Sequence, residues 1–228
     1  MQRVVVLSGA GISAESGIKT FRDSGGLWEE YAIEDVATPE AWKKNPNLVL
    51  DFYNQRRKQL LSAQPNRGHL SLVELEKKYD VQIVTQNVDD LHERAGSKNV
   101  LHLHGELLKV RSEKYDSLIY DWKTDLKSGD LCERGTQLRP YIVWFGEMVP
   151  KMEEAAKLVK SADVVIVVGT SLNVYPAAGL LYEASFESRK YLVNPDLSLR
   201  VPVHANFKFV CEKAGVGLPL VVNELMSL

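Results

Sequence analysis

The first residues suited to chemistry are Gly9-Ala10-Gly11-Ile12-Ser13, running on through Ala14 to Gly17-Ile18, Phe21-Arg22 and Trp28. In such a G-x-G-x-x-A turn, Gly9 permits the bend and Gly11 lets backbone N–H groups approach a pyrophosphate. Ala14 is small enough for the next segment to pack on the preceding strand. Gln86-Asn87-Val88-Asp89 forms a second group, whose amides and carboxylate suit a carboxamide and ribose hydroxyls. His102-Leu103-His104-Gly105 is a third. A histidine followed by glycine at a strand end can take a proton from a hydroxyl. His102 and His104 share one face of a strand by its two-residue period, so spacing does not choose between them. Each group alone also has a plainer reading: a strand-turn-helix, a polar cap, a structural histidine.

Tyr53 and Arg56 stand three residues apart on a helix-forming stretch, so they emerge on one face. An arginine fork with a phenolic hydroxyl suits a carboxylate. Read without further context, Arg57 and Lys58 make the same stretch look like a solvated charged face.

These groups need elements to hold them. Short runs rich in Val, Ile and Leu at residues 4–8, 81–85, 100–104, 164–169 and 190–194 predict buried strands. Helical periods separate them, the pattern of a parallel sheet covered on both faces. Thr38-Pro39 caps and starts a helix through Trp42, Asn45-Pro46 stops it and starts another over 47–62, and Pro65-Asn66 opens a helix to Tyr79. Both polar groups fall just past strand C-terminal ends, where open α/β sheets place ligands. The expected fold is α/β: a Rossmann-like parallel sheet with helices on both faces, plus a small module made of two insertions. One domain spans 1–228, its larger part from 1–29, 66–106 and 141–228, its module from 30–65 and 107–140. The second insertion reads as polar and weakly periodic.

A dehydrogenase of this type needs a second strand within about 30 residues, ending in an acid that grips the ribose. Here the next β-like run begins only at Val81. This disfavours the alternative of an NAD(P)-dependent oxidoreductase; a non-catalytic NAD or ADP-ribose-binding module is the other alternative. With 228 residues and 45% hydrophobic residues, the chain is long enough for one well-buried core. A net charge of -2 gives no strong pull toward nucleic acid or membrane. The first apolar run is too short for a signal peptide or membrane span. Cys132 and Cys211 lie far apart, which fits a reducing compartment, and the expected location is cytoplasmic. The sequence sets no oligomeric state.

In order along the chain, Gly9-Ala10-Gly11-Ile12-Ser13, Gly17-Ile18, Phe21-Arg22, Gln86-Asn87-Val88-Asp89, His104-Gly105, Val143-Trp144-Phe145-Gly146-Glu147, Gly169-Thr170-Ser171-Leu172 and Asn194 resemble the sirtuins, NAD-dependent protein-lysine deacylases. With Tyr53 and Arg56, the chain looks most like the bacterial and mitochondrial desuccinylase branch. In that branch this pair reads the carboxylate of succinyl-, malonyl- or glutaryl-lysine.

The resemblance implies NAD as cofactor and acyl-lysine proteins or peptides as substrates. It places Ala10 and Arg22 near the phosphates and Phe21 over the nicotinamide-ribose bond, with Trp28 in the same covering segment. Gln86, Asn87 and Asp89 would hold nicotinamide and its ribose. Gly169, Thr170, Ser171, Asn194, Pro195, Asp196 and Ala214 would line the adenosine side. Val143, Phe145, Gly146 and Glu147, with residues 172–175, would sandwich the peptide as an added strand. It assigns the general base to His104, acting on a ribose hydroxyl after the acyl oxygen has displaced nicotinamide; the acyl group ends on ADP-ribose and the lysine is freed. Most sirtuins also carry two cysteine pairs that close a zinc site. Here Arg111-Ser112-Glu113-Lys114 stands where the first pair is expected and only Cys132 remains of the second. No zinc is therefore expected, with Tyr115, Leu118, Ile119, Tyr120 and Trp122 packing in its place.

Overall fold

The valine-rich runs become adjacent parallel strands: β1 (Arg3–Ser8), β2 (Asp80–Thr85), β3 (Val100–His102), and, beyond the module, β7 (Val164–Val168), β8 (Arg189–Val193) and β9 (Phe207–Val210). The structure is a computed structural model that describes residues 1–18, 31–170, 177–196 and 207–228. The six strands form one sheet in the order β3-β2-β1-β7-β8-β9, every neighbouring pair parallel. β9 was not foreseen from the sequence.

The alternation along β1 divides its side chains between two cores. Val4 and Val6 pack with Leu72, Leu75, Leu218 and Val221 of α4 (Arg67–Leu75) and α7 (Ala214–Ser227). Val5 and Leu7 pack on the other face with Ala155 and Val159 of α6 (Met152–Lys160) and with Leu180 and Leu181. Each fully buried Val or Leu contributes about 1.5–3 kcal/mol of transfer free energy. Continuous apolar strands are thus explained by two covered faces.

The caps lie where the sequence placed them. Thr38 accepts from Ala41 N–H and starts α2 (Pro39–Lys44); Asn45 accepts from Leu48 N–H and starts α3 (Pro46–Ser62). Asn66 caps α4 in a box with His69. This helix ends at Leu75, short of the expected Tyr79, and the chain reaches β2 through a turn. A short α1 (Ile33–Val36) precedes α2, and α5 (Leu91–Ala95) follows β2.

The stretch read as a strand over 100–104 divides in two. β3 stops at His102, and Gly105, at φ 85°, opens β4 (Gly105–Ser112) of a second sheet. A Cβ on Gly105 would lie 2.0 Å from the Tyr141 carbonyl, so only glycine fits this crossing. β4 pairs antiparallel with β5 (Ile119–Asp121) and β6 (Leu138–Ile142), giving a three-stranded sheet in the order β5-β4-β6. That sheet shares one core with α2 and α3, through Trp42, Phe52, Leu107, Val110, Leu126 and Leu138. Tyr115, Leu118, Tyr120 and Trp122 pack against it as expected, whereas Ile119 is exposed. The two-residue period of β5 turns Ile119 and Asp121 away from the face that Tyr120 presents.

Among the described residues, no helix is long and apolar enough to cross a membrane.

Candidate active site

One register row sets the site. Ser8 pairs with Thr85 on one side and Val168 on the other, Thr85 with His102, and Val168 with Val193. The C-terminal ends of five strands therefore finish level. β1 has β2 on one flank and β7 on the other, so the chain order reverses at β1, where such sheets bind nucleotides.

The loops leaving β1 and β7 meet backbone to backbone. Gly9 N–H donates to Val168 O (3.0 Å) and Gly11 N–H to Gly169 O (2.8 Å). A Cβ on Gly11 would fall 2.7 Å from Gly169 Cα. Gly169 has φ 63°, and its Cβ would fall 2.3 Å from Ile12 N. Gly169→Ala should therefore lower stability by at least about 2 kcal/mol, read from the urea midpoint, and weaken NAD binding with it. An unchanged midpoint would show that the loops separate freely.

Four hydrogen bonds to distant elements fix the glycine loop. Asn66 Nδ2 donates to Ile12 O (2.7 Å) and to Ser16 Oγ (2.9 Å), Gln59 Nε2 donates to Gly17 O (3.1 Å), and Glu15 Oε2 accepts from Gly215 N–H (2.7 Å). The last contact places a carboxylate at the N-terminus of α7, a favourable position for negative charge. Sequence reasoning found none of these anchors. Only the capping signal at Asn66 was legible, and it gave no hint of the loop.

The segment after β2 is organised by hydrogen bonds. The Ser13 hydroxyl donates to Asp89 Oδ2 (2.9 Å) and accepts from Asn87 Nδ2 (3.3 Å); Asp89 Oδ1 accepts from Leu91 N–H (3.1 Å). Burial pushes the Asp89 carboxyl up from its ordinary value, against those two donors, which favour the ionised form. Gln86 Nε2 reaches Thr170 Oγ1 at 3.4 Å, joining the β2 and β7 ends.

The two histidines separate clearly. His102 is buried with both ring nitrogens engaged, Nδ1 with Asn87 O (2.9 Å) and Nε2 with Glu93 Oε1 (2.7 Å). Burial alone would lower its pKa, but the Glu93 carboxylate outweighs this and raises it. His102 is a brace. His104 is half-buried in the turn between β3 and β4, with Nδ1 on Gln86 O (3.1 Å). A carbonyl only accepts, so Nδ1 carries the proton and Nε2 is left with the lone pair of a base. Burial lowers the His104 pKa, against the Gln86 carbonyl, so the ring is neutral at pH 7.

Beneath the loops lies a second pair of histidines that the sequence reading passed over. His92 Nε2 is 3.0 Å from Ser8 Oγ, and its ring meets that of His69 edge-on at 5.0 Å between centroids. Burial lowers both pKa values, that of His69 to about 4. Between pH 6.5 and 4 the unfolded chain binds protons that these rings refuse. Their contribution is complete above pH 6.5 and is lost as pH falls toward 4, on the order of 3 kcal/mol for His69. His69→Gln should flatten the dependence of the urea midpoint on pH across this window. An equal slope in both proteins would rule out His69 as its source.

On α3, Tyr53 is buried and accepts from Trp144 Nε1 (3.1 Å); burial pushes its phenol up to about 12, against the opposing pull of the Arg56 charge. Arg56 is half-buried, its guanidinium carbon 5.6 Å from the Phe52 ring centre. Arg57 corrects the solvated-face reading: it is buried, donating to Leu107 O (3.2 Å) and Asn54 Oδ1 (2.7 Å). Lys58 alone remains on a charged surface, paired with Asp125 at 2.9 Å. Arg57 thus ties helix to sheet while Arg56 stays beside Tyr53.

Ile12 is fully buried in the sheet core, leaving only its backbone at the loop. Val88 is half-buried, and its carbonyl accepts from Leu107 N–H (2.8 Å). Asn194 spans Thr170 O (3.1 Å) and Asp196 N–H (2.8 Å), and Pro195 O accepts from the Cys211 thiol (3.6 Å). Ala214 is buried at the start of α7. Val143 N–H donates to His104 O (2.9 Å), Phe145 N–H donates to Ala37 O (3.0 Å), and Gly146 has φ 89°. The Glu147 carboxylate is occupied by Arg139 (2.8 and 3.1 Å) and Trp144 N–H (2.7 Å), so its side chain serves the loop. Phe21, Arg22, Trp28, Ser171 and residues 172–175 lie outside the described residues.

The side chains fit the nicotinamide and ribose end of a dinucleotide: the Gln86 and Asn87 amides and the Asp89 carboxylate lie beside a loop contact so close that only glycine is accommodated. They do not fit a thiolate metal site. Cys132 is the only thiol between residues 107 and 140, and its Sγ lies 3.1 Å from Thr136 Oγ1. Among the described residues, no three His, Cys, Asp or Glu side chains gather as metal ligands.

A six-stranded parallel sheet with a glycine cradle at its switch point and a neutral histidine beside it defines a nucleotide-binding α/β enzyme. Residues 9–176 match the family described as Sir2. An NAD-dependent protein deacylase of Helicobacter pylori (strain J99) is 62% identical over 195 residues, covering 86% of this chain and 83% of the relative. One from Vibrio cholerae is 45% identical over 234 residues, covering 99% and 94%. The solved structure of a Sir2 homologue in complex with NAD superposes with a TM-score of 0.88 at 40% identity, covering 99% of this chain and 90% of that one. The chain belongs to the Sir2 family, the NAD-dependent protein deacylases.

Proposed function

We propose that this enzyme removes acidic acyl groups, succinyl and malonyl, from protein lysines, with deacetylation as a second activity, and that it needs no zinc. The observation that carries the reading is the buried Tyr53 hydroxyl beside Arg56, on a helix whose neighbouring arginine is consumed by structure. A short apolar acyl group gains nothing from a guanidinium, whereas a carboxylate gains charge-assisted hydrogen bonds. Peptide substrates are supported by a Sir2 structure described as holding a deacetylated p53 peptide with 3'-O-acetyl ADP-ribose, 31% identical with a TM-score of 0.77.

When bound, NAD supplies the ADP-ribosyl acceptor for the acyl group, so the products are nicotinamide, O-acyl-ADP-ribose and free lysine. Gly9, Gly11 and Gly169, whose N–H groups bond to Val168, Gly169 and Val193, hold the shape of the turn, with Ala10 between them, that would receive its phosphates. Ser13, Asn87 and Asp89 form one hydrogen-bonded unit for its nicotinamide end, and Asn194 with Thr170 lines the adenosine side. His104 Nε2 takes the proton of a ribose hydroxyl, the ring held by the Gln86 carbonyl at Nδ1. Val143, Phe145 and Gly146 present backbone to the peptide.

The deciding experiment is a panel of succinyl-, malonyl-, glutaryl-, acetyl- and butyryl-lysine peptides with NAD, following nicotinamide and free-lysine peptide. Higher kcat/KM for the acidic acyl groups supports the reading; a preference for acetyl or butyryl overturns it. Chelators should leave turnover and the urea midpoint intact. Loss of both, with release of one zinc per chain, would show that a metal site forms after all.

A further inference from the structure

The Trp144 side chain has no role assigned so far, yet it touches Tyr53 of the acyl-recognition pair. Its indole Nε1 lies 3.1 Å from the Tyr53 oxygen, and an indole N–H only donates. The phenol must therefore accept this bond, and its own proton has to be directed elsewhere. Among the described residues no protein group accepts that proton. Burial raises the Tyr53 pKa to about 12, so the proton stays on oxygen throughout the working range.

The indole itself is clamped. Its ring lies under the Arg139 guanidinium, 3.3 Å from carbon to ring centre, and Arg139 is held by both oxygens of Glu147. Glu147 also accepts the Trp144 backbone N–H at 2.7 Å. The Arg139 and Glu147 charges act on Tyr53 in opposite directions, and the directional contribution of this assembly is the indole N–H. We propose that Trp144 is a positioning residue for acyl specificity: it occupies the lone pair of Tyr53 and so turns the phenolic proton toward the free carboxylate of an acidic acyl-lysine. This rests on the carboxylate-recognition reading of Tyr53 and Arg56. In this arrangement the Trp-Phe-Gly-Glu stretch shapes the acyl end of the substrate as well as its backbone.

The test is Trp144→Phe, which keeps an aromatic ring and removes the N–H, with Trp144→Leu as a second variant, measured on succinyl- and acetyl-lysine forms of one peptide. Losing one oriented hydrogen bond should raise KM for the succinyl peptide about fivefold to tenfold with little change in kcat, and alter acetyl turnover by less than about twofold. In a double-mutant cycle, Trp144→Phe should add nothing to Tyr53→Phe. Equal losses on both peptides would reduce Trp144 to a packing residue and overturn the proposal. An unchanged succinyl-to-acetyl ratio in both Trp144 variants, while Tyr53→Phe and Arg56→Met lower it, would overturn the proposal and leave the carboxylate reading standing. A ratio that none of these substitutions moves would sink both.

Discussion

His104→Ala should lower kcat on every acyl-lysine peptide by about 10²–10⁴-fold, the range for losing a positioned general base, while NAD still binds. The reason is geometric. His104 is held at Nδ1 by the Gln86 carbonyl, which fixes the tautomer and leaves Nε2 basic. Burial keeps the ring neutral, so no proton must be lost before it can act. His102 cannot substitute, because its two nitrogens are already committed to Asn87 and Glu93. Turnover by single-turnover quench and NAD affinity by calorimetry separate the two effects. Wild-type turnover in the variant would remove His104 from the mechanism, and a loss confined to NAD affinity would make it a binding residue only.

Arg56→Met should lower kcat/KM for succinyl-lysine peptides by about 100-fold and for acetyl-lysine peptides by no more than a few-fold. Truncating one partner of a desolvated, hydrogen-bonded charge pair costs about 2–5 kcal/mol, mostly because the other charge is left buried and alone. Methionine keeps length and apolar volume, so packing against Phe52 is largely retained. Lysine at this position should recover only part of the loss, since an ammonium lacks the planar fork. Parallel losses on both acyl groups would place Arg56 in the structure of α3 rather than in recognition. The contrast with Arg57 sharpens the expectation: Arg57→Met removes hydrogen bonds to Leu107 and Asn54 and should act on stability, lowering the urea midpoint for the whole enzyme.

The pattern of residues 4–8, 81–85, 164–169 and 190–194 was enough to read a parallel sheet, because strands buried on both faces need apolar residues at every position. Thr38, Asn45 and Asn66 were legible as caps because a cap is a local contract between a side chain and N–H groups two or three residues away. The three-stranded sheet was not legible. β5 is three residues long with one face exposed, and its pairing with β4 and β6 depends on partners far along the chain.

By itself, then, the sequence determined the glycine turn, the parallel α/β framework, the helix caps and the Sir2 family, all carried by spacings that local geometry enforces. Only the tertiary structure decided that both nitrogens of His102 are committed, that Arg57 is the arginine tied to the backbone of β4, and what holds the glycine loop. Each of those answers turns on a partner brought from elsewhere: Glu93 and Asn87 for His102, Leu107 for Arg57, Gly215 for Glu15. Neighbouring residues of one type look alike along a chain, and they become different once folding commits one of them to a structural partner from a distant element.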